Sequence, residues 1–344
     1  MSSRTVWIAV IVSVILLLAL AIVFEFSPTG ALSEIRASAC RSMSTHTLPN
    51  ANDTPIETLR PSAPTPSVPK RKFAYALLSY GNDYRNQICP AYVAAQAIRQ
   101  ADPDPDRPII ILRIAPLPQG IDPPLGDERV SIRYVKPAKS KGRYGWVETY
   151  SKFRIVEFEE FDAVALLDFD VMLRRPLTPL FELSQVTGNT IVAPRAYFID
   201  QPYWMSGGPL VITPTSDLQS AFRGVLEEGG YFGPGEMDWF NKDPNVTDQV
   251  EAVSGFWTLL VGEFFPGDKI YKYWGSKLGL SPSMVYERAF LFHFIATWKP
   301  WSNGIGEAKG RVTPELRRAY REWNELRKVA CPQMSDHVPG YRVE

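Results

Sequence analysis

Between residues 73 and 167, strand-length apolar runs alternate with segments of helical period, and few folds accommodate that rhythm. Residues 73–79 (FAYALLS) form a short apolar run ending at Gly81-Asn82, which suits a buried strand and a turn. From Asp83 to about Gln100, Ile88, Tyr92, Ala95 and Ile98 recur at spacings of four and three, as one face of a helix requires. Residues 108–114 (PIIILRI) and 130–135 (VSIRYV) predict two more strands. Trp146, Tyr150, Phe153 and Val156 keep helical spacing, and 163–167 (AVALL) returns to strand. Strands separated by helices predict βαβ units, hence an α/β fold whose mixed, mostly parallel sheet is flanked by helices.

After Asp170 the pattern loosens into strand-like stretches at 190–193 and 209–213, a helix near 216–228, and a Gly/Pro/Trp-rich segment. Thr313-Pro314-Glu315 sets a capping residue before a proline at the first helical position, predicting a helix to about Val329. There is no internal repeat and no second linker, so residues 71–344 read as one catalytic-sized domain.

From Val6 to Phe24 every residue is apolar except Ser13, and none is charged. At 1.5 Å per residue this run spans roughly the ~30 Å hydrocarbon core of a bilayer. A cleaved signal peptide is the rival reading, but its apolar core is usually ~7–15 residues and ends in a small-residue cleavage site. Here the run exits through Phe24-Glu25-Phe26. The expected layout is a cytoplasmic tail (1–5), a transmembrane anchor (6–26), a Pro/Ser/Thr-rich stem (27–70) and a lumenal body, a type II topology of the Golgi or endoplasmic reticulum. The stem composition cannot bury enough apolar surface to order itself. Asn52-Asp53-Thr54 and Asn245-Val246-Thr247 are glycan acceptor triplets if lumenal.

Thirty-seven basic residues against 37 acidic ones leave no basic field to hold nucleic acid. Three cysteines exclude a disulfide scaffold or a zinc-finger array. In an oxidising lumen a Cys89–Cys331 bridge would tie the last helix to the first half, provided that their Cα atoms come within ~7 Å. Cys40, in the stem, would then be left to link two chains as a homodimer.

Asp168-Phe169-Asp170 follows the buried strand directly. Residues i and i+2 of an extended chain point to the same side, and strand carboxyl ends are where α/β sheets hold ligands. Two like charges this close favour a divalent cation between them, which could in turn hold nucleotide phosphates. A surface acid pair is the plainer alternative. His293, in Phe290–Ile295, is the histidine of the body, since His46 and His337 fall in the stem and the tail. A core histidine packed among phenylalanines is the plainer reading there too. Mn²⁺ accepts both carboxylate and imidazole.

These residues together resemble glycosyltransferase family 8, the glycogenin-like retaining enzymes of the GT-A fold. Ala74 through Tyr84 resembles the first strand and nucleotide-binding loop, which includes Leu78, Tyr80 and Tyr84. Tyr150-Ser-Lys152-Phe resembles the family's Thr-Lys-Leu helix, and Leu167-Asp168-Phe-Asp170 followed by Pro176-Leu-Thr-Pro-Leu-Phe181 its DxD strand and the helix after it. Ser206-Gly207 resembles the Asn-Ser-Gly segment and Asp248-Gln249 the Asp-Gln pair. His293-Phe-Ile-Ala-Thr-Trp-Lys-Pro-Trp301 resembles the closing His-Phe-x-Gly-x-x-Lys-Pro-Trp. The matches run in the family's order along nearly the whole body. Three positions depart from it: Met205 stands for the Asn, Ala296 for the Gly, and Tyr80-Gly81 for a Thr-Asn pair.

The resemblance implies an Mn²⁺-dependent transferase moving a sugar from a UDP-sugar to an unknown acceptor. Asp168, Asp170 and His293 would bind the ion, with Asp168 also touching ribose or sugar. Lys299 would meet the diphosphate, and Lys152, Ser206 and Gly207 the donor. Asp248 and Gln249 would lie at the sugar. The rival readings are an aspartate-nucleophile phosphatase and an inactive scaffold on the same fold. A phosphatase wants Thr or Val four positions after its first Asp, where this chain has Met172.

Overall fold

In the computed structural model, β1 (Phe73–Leu78) is buried along almost its whole length, which is why it reads as a continuous apolar run and not an alternating one. The structure describes residues 71–121, 127–141, 148–199, 201, 203–229, 235–265, 273–295, 299–301 and 313–334. The expected anchor and stem, with Cys40 and Asn52, lie outside these residues, as do Trp146 and Ala296. Among the described residues no helix is long and apolar enough to cross a membrane.

β1 is followed by a π-helical turn (Tyr84–Ile88) that runs into helix α1 (Cys89–Ala101). Asp83 starts the turn by accepting a hydrogen bond from the Asn86 amide. Strands β2 (Ile109–Arg113), β3 (Val130–Tyr134) and β4 (Ala163–Asp168) fall where the apolar runs predict them. They form the parallel half of a seven-stranded sheet, ordered β3-β2-β1-β4, and Leu78 pairs with Asp168 at its carboxyl end.

Beyond β4 come β6 (Ile191–Pro194), β7 (Leu210–Ile212) and β8 (Val250–Val253), in the order β4-β7-β6-β8. β7 is antiparallel to both β4 and β6, while β8 is parallel to β6, so the sheet is mixed. Helices α2 (Thr178–Ser184), α3 (Ser216–Arg223), α4 (Glu236–Phe240) and α5 (Pro244–Thr247) occur along this half.

Two apolar layers cover the sheet. Tyr75 and Leu77 face one containing Ile88, Phe181 and Trp323, and Ala74 and Ala76 face another containing Tyr150, Phe153, Phe222 and Phe240. The segment before β4 is a 3-10 helix (Thr149–Glu157), not the regular α-helix that its spacing suggests. Residues 150–156 are all buried, Lys152 and Arg154 included, so contacts on every side set its geometry instead of one apolar stripe. The predicted helix 216–228 likewise divides, with a π-helical turn (Gly224–Glu228) after α3, stopped by Gly229 at φ 74°.

A smaller sheet joins β5 (Val171–Leu173), β10 (Leu291–His293) and β9 (Leu259–Leu260) in the order β5-β10-β9. The last helix, α8 (Pro314–Ala330), opens as expected, with the Thr313 hydroxyl accepting from the Leu316 amide. Leu316, Ala319, Tyr320, Trp323 and Leu326 supply its buried face. Cys331, just after it, is bridged to Cys89 at the start of α1, with Cα atoms 5.9 Å apart.

Candidate metal and donor site

The small sheet brings His293 back to the acids. β10 pairs antiparallel with β5, placing His293 opposite Val171, and the Phe294 amide donates to the Asp170 carbonyl at 2.9 Å. Nε2 of His293 lies 3.2 Å from Asp170 Oδ1 and 4.0 Å from Asp168 Oδ2. One ligand atom from each of the three residues fits within a 4.8 Å span, a separation one cation can bridge. Buried Asp170 Oδ1 accepts no hydrogen bond of acceptable geometry, as suits an oxygen aimed at a shared ion. The donor set of two carboxylates and an imidazole therefore fits a divalent metal. His293 is not packed away in the core.

Lys299 donates to the other oxygen of Asp170 and to the Phe294 carbonyl. Burial alone would raise the Asp170 carboxyl, but His293 and Lys299 outweigh it and hold the group well below the usual carboxylate range. Trp301 follows on the same segment. Its ring lies 6.3 Å from Phe169 and 5.4 Å from Trp323 of α8, and its carbonyl accepts from Arg85 Nε at 3.0 Å.

On the other side of Asp168 lies Lys152, whose side chain is 1% exposed. Its ammonium donates to Asp168 Oδ1 at 3.0 Å, Glu236 Oε1 at 2.8 Å and the Gly207 carbonyl at 3.2 Å. Three donors meet three acceptors, so Lys152 holds the acids in place. Burial would lower the Lys152 ammonium, yet Asp168 and Glu236 keep it above its ordinary value. Gly207 fits tightly here, since a Cβ on it would stand 3.5 Å from Glu236 Oε1 and 3.6 Å from Lys152 Nζ.

The remaining expected residues divide. Tyr80 faces the cleft: its ring is 6.2 Å from Phe169, and burial, then Asp170, Asp168 and Glu236, raise its phenol despite an opposing bond with Gln87. Leu78 is buried at the end of β1, so any ligand contact would come from its backbone. Tyr84 packs against the layer that contains Trp323, and Ser206 donates to the Gly208 carbonyl at 3.0 Å within its own turn.

The strand register sets Asp248 and Gln249 apart from the two acids. Val164 pairs with Ile212, Ile212 with Ile191, and Ile191 with Val250. The Asp-Gln pair therefore lies level with the start of β4, whereas Asp168 ends it. Gln249 is engaged there by Thr190 Oγ1 at 2.7 Å and by the Asn245 carbonyl at 2.6 Å.

Two site residues escaped the sequence reading. Glu236, which opens α4, sits in a Gly/Pro-rich stretch with no period to expose it. Arg113, the charged residue in an otherwise apolar strand, was the available signal. It is 1% exposed and, among the described residues, has no carboxylate partner. Its guanidinium donates to Ser79 Oγ (3.1 Å), the Ser79 carbonyl (3.2 Å), Asn82 Oδ1 (2.7 Å) and the Ala115 carbonyl (3.1 Å), tying together the loops after β1 and β2.

Both comparisons lead to glycosyltransferases. A putative UDP-glucuronate:xylan alpha-glucuronosyltransferase 3 of Arabidopsis thaliana is 22% identical over 240 residues, 67% of this chain and 35% of that protein. UDP-glucuronate:xylan alpha-glucuronosyltransferase 2 of the same plant is 24% identical over 177 residues, 49% of this chain and 26% of that one. The chain thus spans about a third or less of these curated relatives. Among solved structures, the galactosyltransferase LgtC with donor and acceptor sugar analogues superposes at TM-score 0.50 and 16% identity, covering 75% of this chain and 96% of its own. The bifunctional glycosyltransferase WbbM does so at TM-score 0.52 and 14% identity, covering 78% and 51%. At such identities the likeness is one of fold, the mixed α/β sheet of GT-A glycosyltransferases. No family model matches, so family 8 in particular is not established.

Proposed function

We propose that residues 71–344 form a metal-dependent glycosyltransferase that moves a sugar from a nucleotide diphosphate, UDP by preference, to a glycan, protein or lipid acceptor with retained anomeric configuration. The meeting of Asp168, Asp170 and His293 within 4.8 Å, at the carboxyl edge of an α/β sheet, carries this reading. Mn²⁺ or another divalent cation bound by these three residues would supply Lewis-acid stabilisation of the charge that develops on the departing diphosphate.

The chain's own groups have separate tasks. The loops after β1 and β2, braced by Arg113 and bordered by Tyr80, receive the nucleoside. Lys299 exchanges its bond to Asp170 for the diphosphate. Lys152 fixes Asp168 and Glu236, and Glu236 accepts from hydroxyls of the donor sugar, the task first expected of Asp248 and Gln249. An oxidising lumen suits the Cys89–Cys331 bridge, and the apolar run 6–24 supports single-pass anchoring.

Incubating the purified full chain with a panel of UDP-sugars, with Mn²⁺ or with a chelator, tests the reading. UDP release that needs the metal is expected. Orthophosphate release from simple esters would favour a phosphatase, and neither product would leave a scaffold.

A further inference from the structure

A transferase needs a place for its acceptor, and a pocket next to the Lys152–Glu236 end of the site has the chemistry for one. Its volume is about 630 Å³, within the ~300–1,000 Å³ usual for small-molecule sites. Tyr203, Trp204, Met205 and Phe240 line it with apolar surface, and Gln201, Asn241 and Thr247 with neutral hydrogen-bonding groups. None of these lining side chains carries a charge, and Lys242, whose ammonium lies 5.6 Å from the Trp204 ring centroid, is paired with Asp238 at 2.8 Å. Tyr203 is 80% exposed, an unusual state for a large aromatic residue that a stacked ligand would relieve.

Residues 204 and 205 are hydrogen-bonded to their surroundings. The Asn241 side chain accepts from the Met205 amide at 2.6 Å and donates to the Met205 carbonyl at 2.9 Å. The Trp204 amide donates to the Gln201 carbonyl at 3.1 Å, and its carbonyl accepts from the Ala196 amide at 2.8 Å. The Asn241 amide also donates to the Met237 carbonyl at 2.8 Å, so it braces the wall, and the aromatic plates with Gln201 and Thr247 are what match a sugar, whose C–H faces stack on rings while its hydroxyls seek neutral polar groups.

Two segments lead from one end of the pocket toward the site, while Thr247 and Val250 line its other end, level with the start of β4. Met205 leads through Ser206 to Gly207, whose carbonyl receives Lys152. α4 joins the two from its opposite ends, with Glu236 at the site and Asn241 at the pocket, five helical steps or about 7.5 Å along the axis. We propose that this pocket is an acceptor subsite for a neutral oligosaccharide, holding units beyond the one that reacts. This rests on the transferase reading, and the test separates the two.

The full chain is given neutral β-linked xylo-, cello- and manno-oligosaccharides of two to six units. Binding is read by saturation-transfer NMR and by tryptophan fluorescence, and transfer by UDP release above the acceptor-free rate. One series is expected to bind, with KM falling as length grows. Tyr203→Ala is expected to raise that KM about tenfold while the KM for the UDP-sugar stays constant, and Gln201→Ala to raise it less. Binding that is weakened by Tyr203→Ala in a chain showing no UDP release would keep the subsite and remove the transferase. Oligosaccharide binding indifferent to both substitutions, a KM independent of length, or no binding by any series would overturn the subsite.

Discussion

The ammonium of Lys152 lies 3.0 Å from Asp168 Oδ1 and 2.8 Å from Glu236 Oε1, with its side chain 1% exposed. A buried cation between two carboxylates holds both in place, so its role is positional. Lys152→Met should leave the acids facing each other without compensation, at a cost of about 3–5 kcal/mol of stability. Metal-dependent UDP release should fall on the order of 100-fold. Thermal unfolding and turnover check both numbers, and a variant as stable and active as the parent would remove the positional role.

Acid should act through the same pair. Burial alone raises Glu236, but Lys152 outweighs it and lowers the carboxyl below its ordinary value of 4.5. A depressed carboxyl contributes stability that is present above its unfolded pKa and is lost as pH falls through the folded one. Glu236→Gln should therefore be less stable than the parent near neutrality, with the gap closing below about pH 4. Denaturant unfolding across that range measures it. A gap that widens in acid would reverse the sign and the assignment.

Arg113 predicts a loss of binding without a loss of fold. It is a buried charge with no acid beside it among the described residues, so an apolar residue of similar volume should be tolerated. Arg113→Met frees the loops after β1 and β2, and calorimetry should show UDP affinity lowered roughly tenfold, about 1.4 kcal/mol. Unchanged affinity would make Arg113 a packing residue only.

The Cys89–Cys331 bridge closes a loop across a sequence separation of 242 residues. In the chain-entropy account such long loops gain the most, and loss of a native bridge typically costs about 2–5 kcal/mol. Replacing both cysteines by Ala should lower the unfolding midpoint. A midpoint that reductant also fails to move in the parent would mean that the bridge does not constrain the unfolded chain.

Much of this was legible before any coordinates. β1 is apolar throughout, and β2 and β4 are so up to their last residues, Arg113 and Asp168, because apolar layers cover both faces of the sheet, and Thr313-Pro314 announces α8 through the chemistry of one cap. Asp168 and Asp170 were visible as an i, i+2 pair after such a strand. That His293 joins them was suggested by its being the histidine of the body and by resemblance, while the joining itself rests on β5 pairing with β10, a short contact with no local signal. Where Asp248-Gln249 falls was hidden for a related reason. A dipeptide does not reveal which end of a strand it borders, and that end is set by β8 pairing with β6. Glu236 stayed hidden because a Gly/Pro-rich turn leaves no readable period, and Lys152, picked out by resemblance, gave no sign of its two carboxylate partners because a wholly buried 3-10 helix has no polar face.

The central claim is that Asp168, Asp170 and His293 bind one divalent cation. Titration of the full chain with Mn²⁺, followed by the loss of the free-ion electron paramagnetic resonance signal, tests it without needing a donor or an acceptor. The account predicts a single tight site per chain, abolished by Asp170→Asn and by His293→Ala while the fold persists by circular dichroism. Equal Mn²⁺ uptake by the parent and both variants, or no uptake by the parent with UDP present, would contradict it.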